Sequence, residues 1–304
     1  MREIFYMTKR NCLIYLRDKS AVFFSMLSML IVLGLMVIFL GRMNNDHVVS
    51  ILSEYGGQRD TVKDEENAVY LIQMWTLAGI LVVNAVTITL TVLGSMVQDE
   101  TKKRLMAFYV TPVKRLKLTM GYVLSAWIIG TGMCIMTLAV GEIYFVLNGY
   151  ELLPIFSLCK LCGMIALNTF TFSALGYLMA LFIHSDSAWS GMLTVIGTLV
   201  GFVGGIYLPM AQLSEGVQKV LKALPVLHGA SMMRVICTKE ALEATFEGFP
   251  EEMIEIYKEK MGITVNMWDQ SFGIKEQVLF LAIYATIGIV LATLVSRKRK
   301  LKDR

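Results

Sequence analysis

Six stretches of this chain run for about 20 residues or more almost free of charge, and this restricts its fold more than any other feature. A bilayer's hydrocarbon core is about 30 Å thick, so a helix rising 1.5 Å per residue crosses it in about 20 residues. The blocks cover residues 20–40, 68–97, 120–147, 154–183, 188–208 and 276–296. In lipid the backbone has to satisfy its own hydrogen bonds, so the expected fold is an all-α membrane protein with six transmembrane helices. Composition agrees: 56% of the 304 residues are hydrophobic and only 17% are charged, against about 25% charged in a soluble domain. A net charge of +4, with no basic-aromatic patch, argues against nucleic acid as a partner.

The second block is close to 30 residues, or about 45 Å of helix, so it tilts or projects beyond the membrane. An even number of spans puts both termini on one side. Seventeen Lys/Arg lie in the N-terminal segment, residues 98–119 and the tail, against ten in the two large loops, 41–67 and 209–275. Basic residues in short flanks mark the cytoplasmic face, so a multi-pass protein of the cell membrane with both termini inside is expected.

Residues 1–18 form an amphipathic helix, with Ile4, Phe5, Cys12, Tyr15 and Leu16 on one arc and Arg2, Lys9, Arg10 and Arg17 opposite. Such a helix lies in the interface plane, a placement compatible with packing on its own protein. No small-x-small cleavage site follows the first block, which reads against a signal peptide. The five cysteines imply no disulfide framework. Cys159 and Cys162 open an apolar helix, where buried structural thiols are the plainer reading than a redox or metal role.

Chemistry-bearing motifs are scarce. His47, His184 and His228 have no metal-ligand spacing, and neither a P-loop nor a nucleophile elbow occurs. Catalytic and metal sites are therefore not expected, which leaves polar groups at membrane depth as the candidates. Asn84, Thr87, Thr91 and Gly94 share one face of the second span. Two readings stand, helix packing with the hydroxyls returned to their own backbone, or the lining of a substrate path. Glu142 lies near the outer end of the third span and is expected to snorkel to the interface. Gly197, Gly201 and Gly205 give the fifth span overlapping G-x-x-x-G spacing for close helix approach.

The polar connector 98–119 carries six Lys/Arg and its own apolar pattern, Leu105, Phe108 and Tyr109, closed by Thr111-Pro112. It reads as a short helix on the cytoplasmic face that receives another protein. In 209–275, Leu213 to Leu224 recur at helical spacing and a second apolar segment runs from Leu227 to Cys237. These suggest re-entrant or interfacial helices, followed by an acidic helical cap.

Taken in order, four features resemble the type-2 ABC transporter permeases. They are the amphipathic start, VQDETKKRLMAFYVTPVKR, GGIYLP after the fifth span, and LPVLHGASMMR ending at Arg234. Asp99, Thr111, Pro112 and Arg115 carry the inner motif; Gly205, Pro209, Leu224-Pro225 and Arg234 carry the outer one. One departure is Lys103, where many relatives have glycine. The resemblance implies a single permease domain over 1–304 that works as a dimer of identical or different permeases with separate ATP-binding cassette ATPases, ATP and magnesium sitting on those partners. Residues 98–119 would be the coupling segment, with Asp99, Glu100, Arg104, Phe108, Thr111, Pro112 and Arg115 facing the ATPase. Residues 1–18 would be the connecting helix, with Phe5, Arg10 and Arg17. The second and fifth spans would face the path, with Asn84, Thr87, Thr91, Gly197 and Gly201 as its candidate residues. Export of a hydrophobic or amphipathic cargo (a drug, antibiotic or peptide) is the expected activity. The alternatives are export of a lipid-linked glycan or ion by the same architecture, and an ATPase-independent channel or secondary transporter.

Overall fold

A computed structural model describes residues 2–35, 48–54, 60–105, 114–205, 209–267 and 270–298. Of the described residues, 84% are helical. Helix α1 (Arg2–Arg17) is followed by α2 (Lys19–Leu35), and the Asp18 carboxylate between them accepts from the Ala21 amide at 3.0 Å. Residues 36–40 of the expected first span lie outside the described residues.

Helix α3 (Thr61–Thr101) is the axis of the molecule. Its 41 residues, about 61 Å of helix, overrun the expected span at both ends. Asp60 starts it by accepting from the amides of Val62 and Lys63 at 3.1 and 3.5 Å, which satisfies donors a first turn otherwise leaves orphaned. Its middle is buried on nearly every side because it is surrounded. Helices α4 (Arg115–Leu147), α5 (Ile155–Ala180) and α6 (Asp186–Val203) all pack on it. Helix α11 (Ile274–Lys298) completes the bundle against α5.

Five helices among the described residues, α3, α4, α5, α6 and α11, are long and apolar enough to cross a membrane. Among the described residues a sixth candidate is counted only if α7 (Glu215–Lys222) and α8 (Pro225–Cys237), bent by 85°, are taken as one. Pro225 makes that break: it sits at the first position of α8, where its missing N–H costs nothing, and it cannot continue α7.

The region after α8 is more varied than the all-helical cap expected. Helices α9 (Lys239–Thr245) and α10 (Glu251–Lys260) are followed by an antiparallel pair of strands, β1 (Val265–Met267) and β2 (Gln270–Phe272), with Val265 opposite Phe272. Strands of three residues are too short to show an alternating pattern. The cap has its own apolar core, in which Phe246, Tyr257, Met261 and Ile263 pack with Leu71 and Trp75 of α3. Trp75 Nε1 also donates to the Met261 carbonyl at 2.8 Å, tying α3 to the cap.

One sequence expectation is revised. Glu142 does not snorkel. It is buried, and it folds back to accept the Leu153 amide at 3.2 Å, capping the turn that follows α4. Helix α1 lays Met7, Thr8, Asn11 and Tyr15 against the protein and leaves Phe5 and Leu16 of its apolar arc exposed. The reason is hydrogen bonding: Thr8 and Asn11 both donate to the Gly121 carbonyl, at 3.5 and 3.4 Å.

Gly121 makes that contact possible, since a Cβ there would stand 2.6 Å from Met7 Cβ. Gly121→Val is therefore expected to push α1 off α4 and cost about 1–3 kcal/mol. The measurements are thermal unfolding in detergent and the rate of proteolysis at α1. Unchanged values for both would show that α1 does not depend on this contact.

Candidate functional site

The site is built at the end of α3 that carries α1, on a single carboxylate. Asp99 lies in the last turn of α3 and is 2% exposed. Arg10 of α1 meets it with both guanidinium nitrogens, at 2.9 and 2.7 Å, and the Tyr122 hydroxyl of α4 donates to it at 2.7 Å. Arg104, just beyond α3, stands 3.7 Å from the same carboxylate. Three separate pieces of the chain thus converge on Asp99. The hydrogen bond to Asp99 raises the pKa of Arg10 above its ordinary value, so this cation stays charged throughout the physiological range.

Neighbouring contacts extend the site. His184, in the turn between α5 and α6, lies 3.8 Å from Glu100. Lys117 reaches Glu3 of α1 at 2.6 Å and holds that exposed carboxyl below its usual range. Asn11 accepts from Arg10 at 3.1 Å, which orients the guanidinium. Lys103 turns the chain out of α3 in the left-handed region, φ 57°, a conformation glycine adopts freely and other residues adopt at a cost.

Arg10, Asp99, Glu100 and Arg104 are therefore gathered in one place. Arg115 opens α4, Arg17 is exposed at the end of α1, and Phe5 is exposed on its outer face. Phe108, Thr111 and Pro112 lie outside the described residues. Sequence reasoning missed Tyr122, His184 and Lys117, because single residues within a span or turn give no periodic signal.

The candidate path residues are not gathered. Asn84 is buried and donates to Thr137 of α4 at 3.1 Å. Thr87 and Thr91 return their hydroxyls to Val83 and Thr87 at 2.9 and 2.8 Å. Gly197 has open space beside it, whereas Gly201 is buried. A cavity of about 410 Å³ nearby is lined instead by apolar residues of α3, α5 and α6 with Tyr284 of α11, among them Val86, Leu90, Phe172 and Leu199. Apolar lining cannot be told from core in a sequence.

At the opposite end, Arg234 of α8 is completely buried. It donates to the carbonyls of Gly204, Gly205 and Gly262 at 2.8, 3.0 and 3.3 Å and lies 4.2 Å over the Trp75 ring. The positive φ of Gly205, 64°, turns the end of α6 toward this guanidinium.

Removing Asp99 would leave Tyr122 and one face of Arg10 without their acceptor. A double-mutant cycle of Asp99→Asn and Arg10→Ala is expected to give a coupling of about 1–3 kcal/mol, between exposed and buried ion pairs because Arg10 keeps some solvent contact. Thermal unfolding in detergent would measure it, and a coupling near zero would remove Asp99 as an anchor. At Lys103, replacement by glycine should be neutral or stabilising by up to about 1 kcal/mol, and replacement by valine destabilising.

No curated protein matches the chain. A family match spans residues 2–237 and so takes in α1, the Asp99 site, the spans α3 to α6 and the bent pair α7–α8. The chain belongs to the ABC-2 type transporter family, and it is a multi-pass membrane subunit of a transporter.

Proposed function

We propose that this chain is the permease subunit of an ATP-driven exporter, energised by a separate cassette ATPase that pushes on residues 98–115. One observation carries the reading: the buried Asp99 joins α1, α3, α4 and Arg104 at the end of the longest helix. A force applied to the connector after α3 meets a junction held by charge and hydrogen bonds, so it moves α3 as a body instead of bending a loop. The basic residues around the junction support a cytoplasmic position for it and for both termini, by the same charge bias that orients short loops. ATP and magnesium belong to the ATPase, since the sequence has no P-loop.

The cargo is hydrophobic or amphipathic in this reading, a drug, antibiotic or peptide. Support comes from the apolar cavity between α3, α5 and α6, which has the size of a drug-binding pocket. Helix α6 packs mainly along α3 and keeps Val195, Leu199 and Phe202 exposed, which leaves it free to face a second permease, identical or related. The pair α7–α8 is then a re-entrant element on the outer side, covered by the cap.

The test is reconstitution with a cassette ATPase in proteoliposomes. Arg104→Glu and Pro112→Gly are expected to leave membrane insertion intact and to reduce cargo-stimulated ATP hydrolysis and export at least about tenfold, the scale of losing one charge-assisted contact. Normal export by both variants would overturn the coupling role of this segment. Export that persists without any ATPase would favour a channel or secondary transporter.

A further inference from the structure

Helix α1 has two working faces. The inner one runs along α4 in step: Glu3 meets Lys117, Met7, Thr8 and Asn11 meet Gly121, and Cys12 faces the Ser125 carbonyl. On the opposite arc, at 100° per residue, stand the exposed bases Arg2, Lys9 and Arg17. Phe5, Tyr6 and Leu16 are exposed among them, the two rings at 63% and 65%. Glu3, the one acid within α1, is taken by Lys117 at 2.6 Å, and Arg10 is committed to Asp99. Among the described residues the three outer bases have no carboxylate partner, so this arc carries three positive charges and no negative one. Asp18 alone separates α1 from α2, which opens the first expected span and exposes Phe23 and Phe24. That short connection tethers the end of α1 to the bilayer surface. A headgroup layer takes both kinds of side chain at once, with bases at the level of the phosphates and aromatic rings below them.

We propose that the outer face of α1 binds anionic phospholipids. Arg2, Lys9 and Arg17 pair with headgroup phosphates, while Phe5, Tyr6 and Leu16 enter the acyl boundary. The uncompensated positive charge selects lipids of net negative charge. A zwitterionic headgroup brings an ammonium with its phosphate and creates no attractive surface potential, whereas each Lys or Arg near an anionic surface gains a factor of about five. Arg10 points to Asp99 and takes no part, so the lipid and the junction do not compete for one cation. An acidic soluble protein would match the bases, but the tether to α2 holds this face at the membrane, and its exposed rings suit acyl chains. Binding requires neither ATP nor an ATPase and does not rest on the exporter reading.

The experiment uses the full chain in nanodiscs of equimolar phosphatidylglycerol and phosphatidylcholine, with one lipid radiolabelled at a time. Phe5 is replaced by the photoreactive p-benzoylphenylalanine, and adducts are counted after irradiation. Labelling by phosphatidylglycerol is expected to exceed labelling by phosphatidylcholine at least about fivefold, the scale of one base at an anionic surface. Combining Arg2→Gln, Lys9→Gln and Arg17→Gln should level the two lipids, while Arg2→Lys, Lys9→Arg and Arg17→Lys together should keep the preference. Salt of about 1 M, where the Debye length falls to about 3 Å, should level them with all three bases in place, a test independent of how the variants fold. Equal labelling by both lipids at low salt, or a preference that survives both the Gln substitutions and high salt, would overturn the proposal. Adducts with neither lipid would overturn it outright, and adducts with an added cassette ATPase in their place would assign this face to that protein.

Discussion

A carboxylate that is 2% exposed has to be neutralised where it lies, and much of this molecule is arranged around that requirement at Asp99. Leaving such a group unpaired costs several kcal/mol, on the scale of the whole stability of a domain. Arg10 therefore holds α1 in place, Tyr122 fixes the start of α4, and Arg104 draws in the chain that leaves α3. The energetic gain from making these contacts is modest, because each ion gives up water to make them. The penalty for breaking one is large, and that asymmetry is what makes the junction rigid.

The opposite end of α3 obeys the same rule with the sign reversed. Arg234 is buried without a carboxylate among its hydrogen-bond partners, and carbonyl dipoles and an aromatic face stabilise its charge instead. Two of those carbonyls, Gly204 and Gly205, belong to the C-terminal end of α6, where the helix dipole is negative. The aromatic face is Trp75, which also holds the cap through Met261. Trp75 and Asp99 are about 36 Å apart along one uninterrupted helix. A displacement of α3 at Asp99 is thus delivered to α6 and the cap together, through contacts that are costly to break.

Five of the six expected spans appear as long apolar helices, readable from sequence because lipid imposes length and apolarity on every residue at once. Arg10 and Arg104 also stand out as charges beside an apolar block, and Asp99 through the resemblance of the inner segment to the family's motif. Their convergence does not, because Arg10 and Asp99 are 89 residues apart and no local pattern links them. Glu142 was misread for a related reason. An acid near a helix end has an obvious route to water, and only the turn at Leu153, which offers an amide, reverses that expectation. In α1 the sequence shows the apolar arc but not the face that packs on the protein, which is set by hydrogen bonds from Thr8 and Asn11 to one glycine carbonyl while Phe5 and Leu16 stay exposed. Beside a membrane that outcome is natural: an apolar side chain turned away from protein is still out of water.

The same point governs α6. Its most apolar stretch is 17% buried inside the molecule, compared with 72% for α3. In water such a face would demand a partner, but in lipid it does not, because hydrocarbon tails solvate leucine as well as another helix does. Exposure of Val195, Leu199 and Phe202 is therefore no reason by itself for a second permease to sit there. The stronger reason is mechanical. Helix α6 is attached along α3 and through Arg234 at its end, so under the coupling proposed above its exposed face is the surface that would shift with α3 against whatever lies across from it.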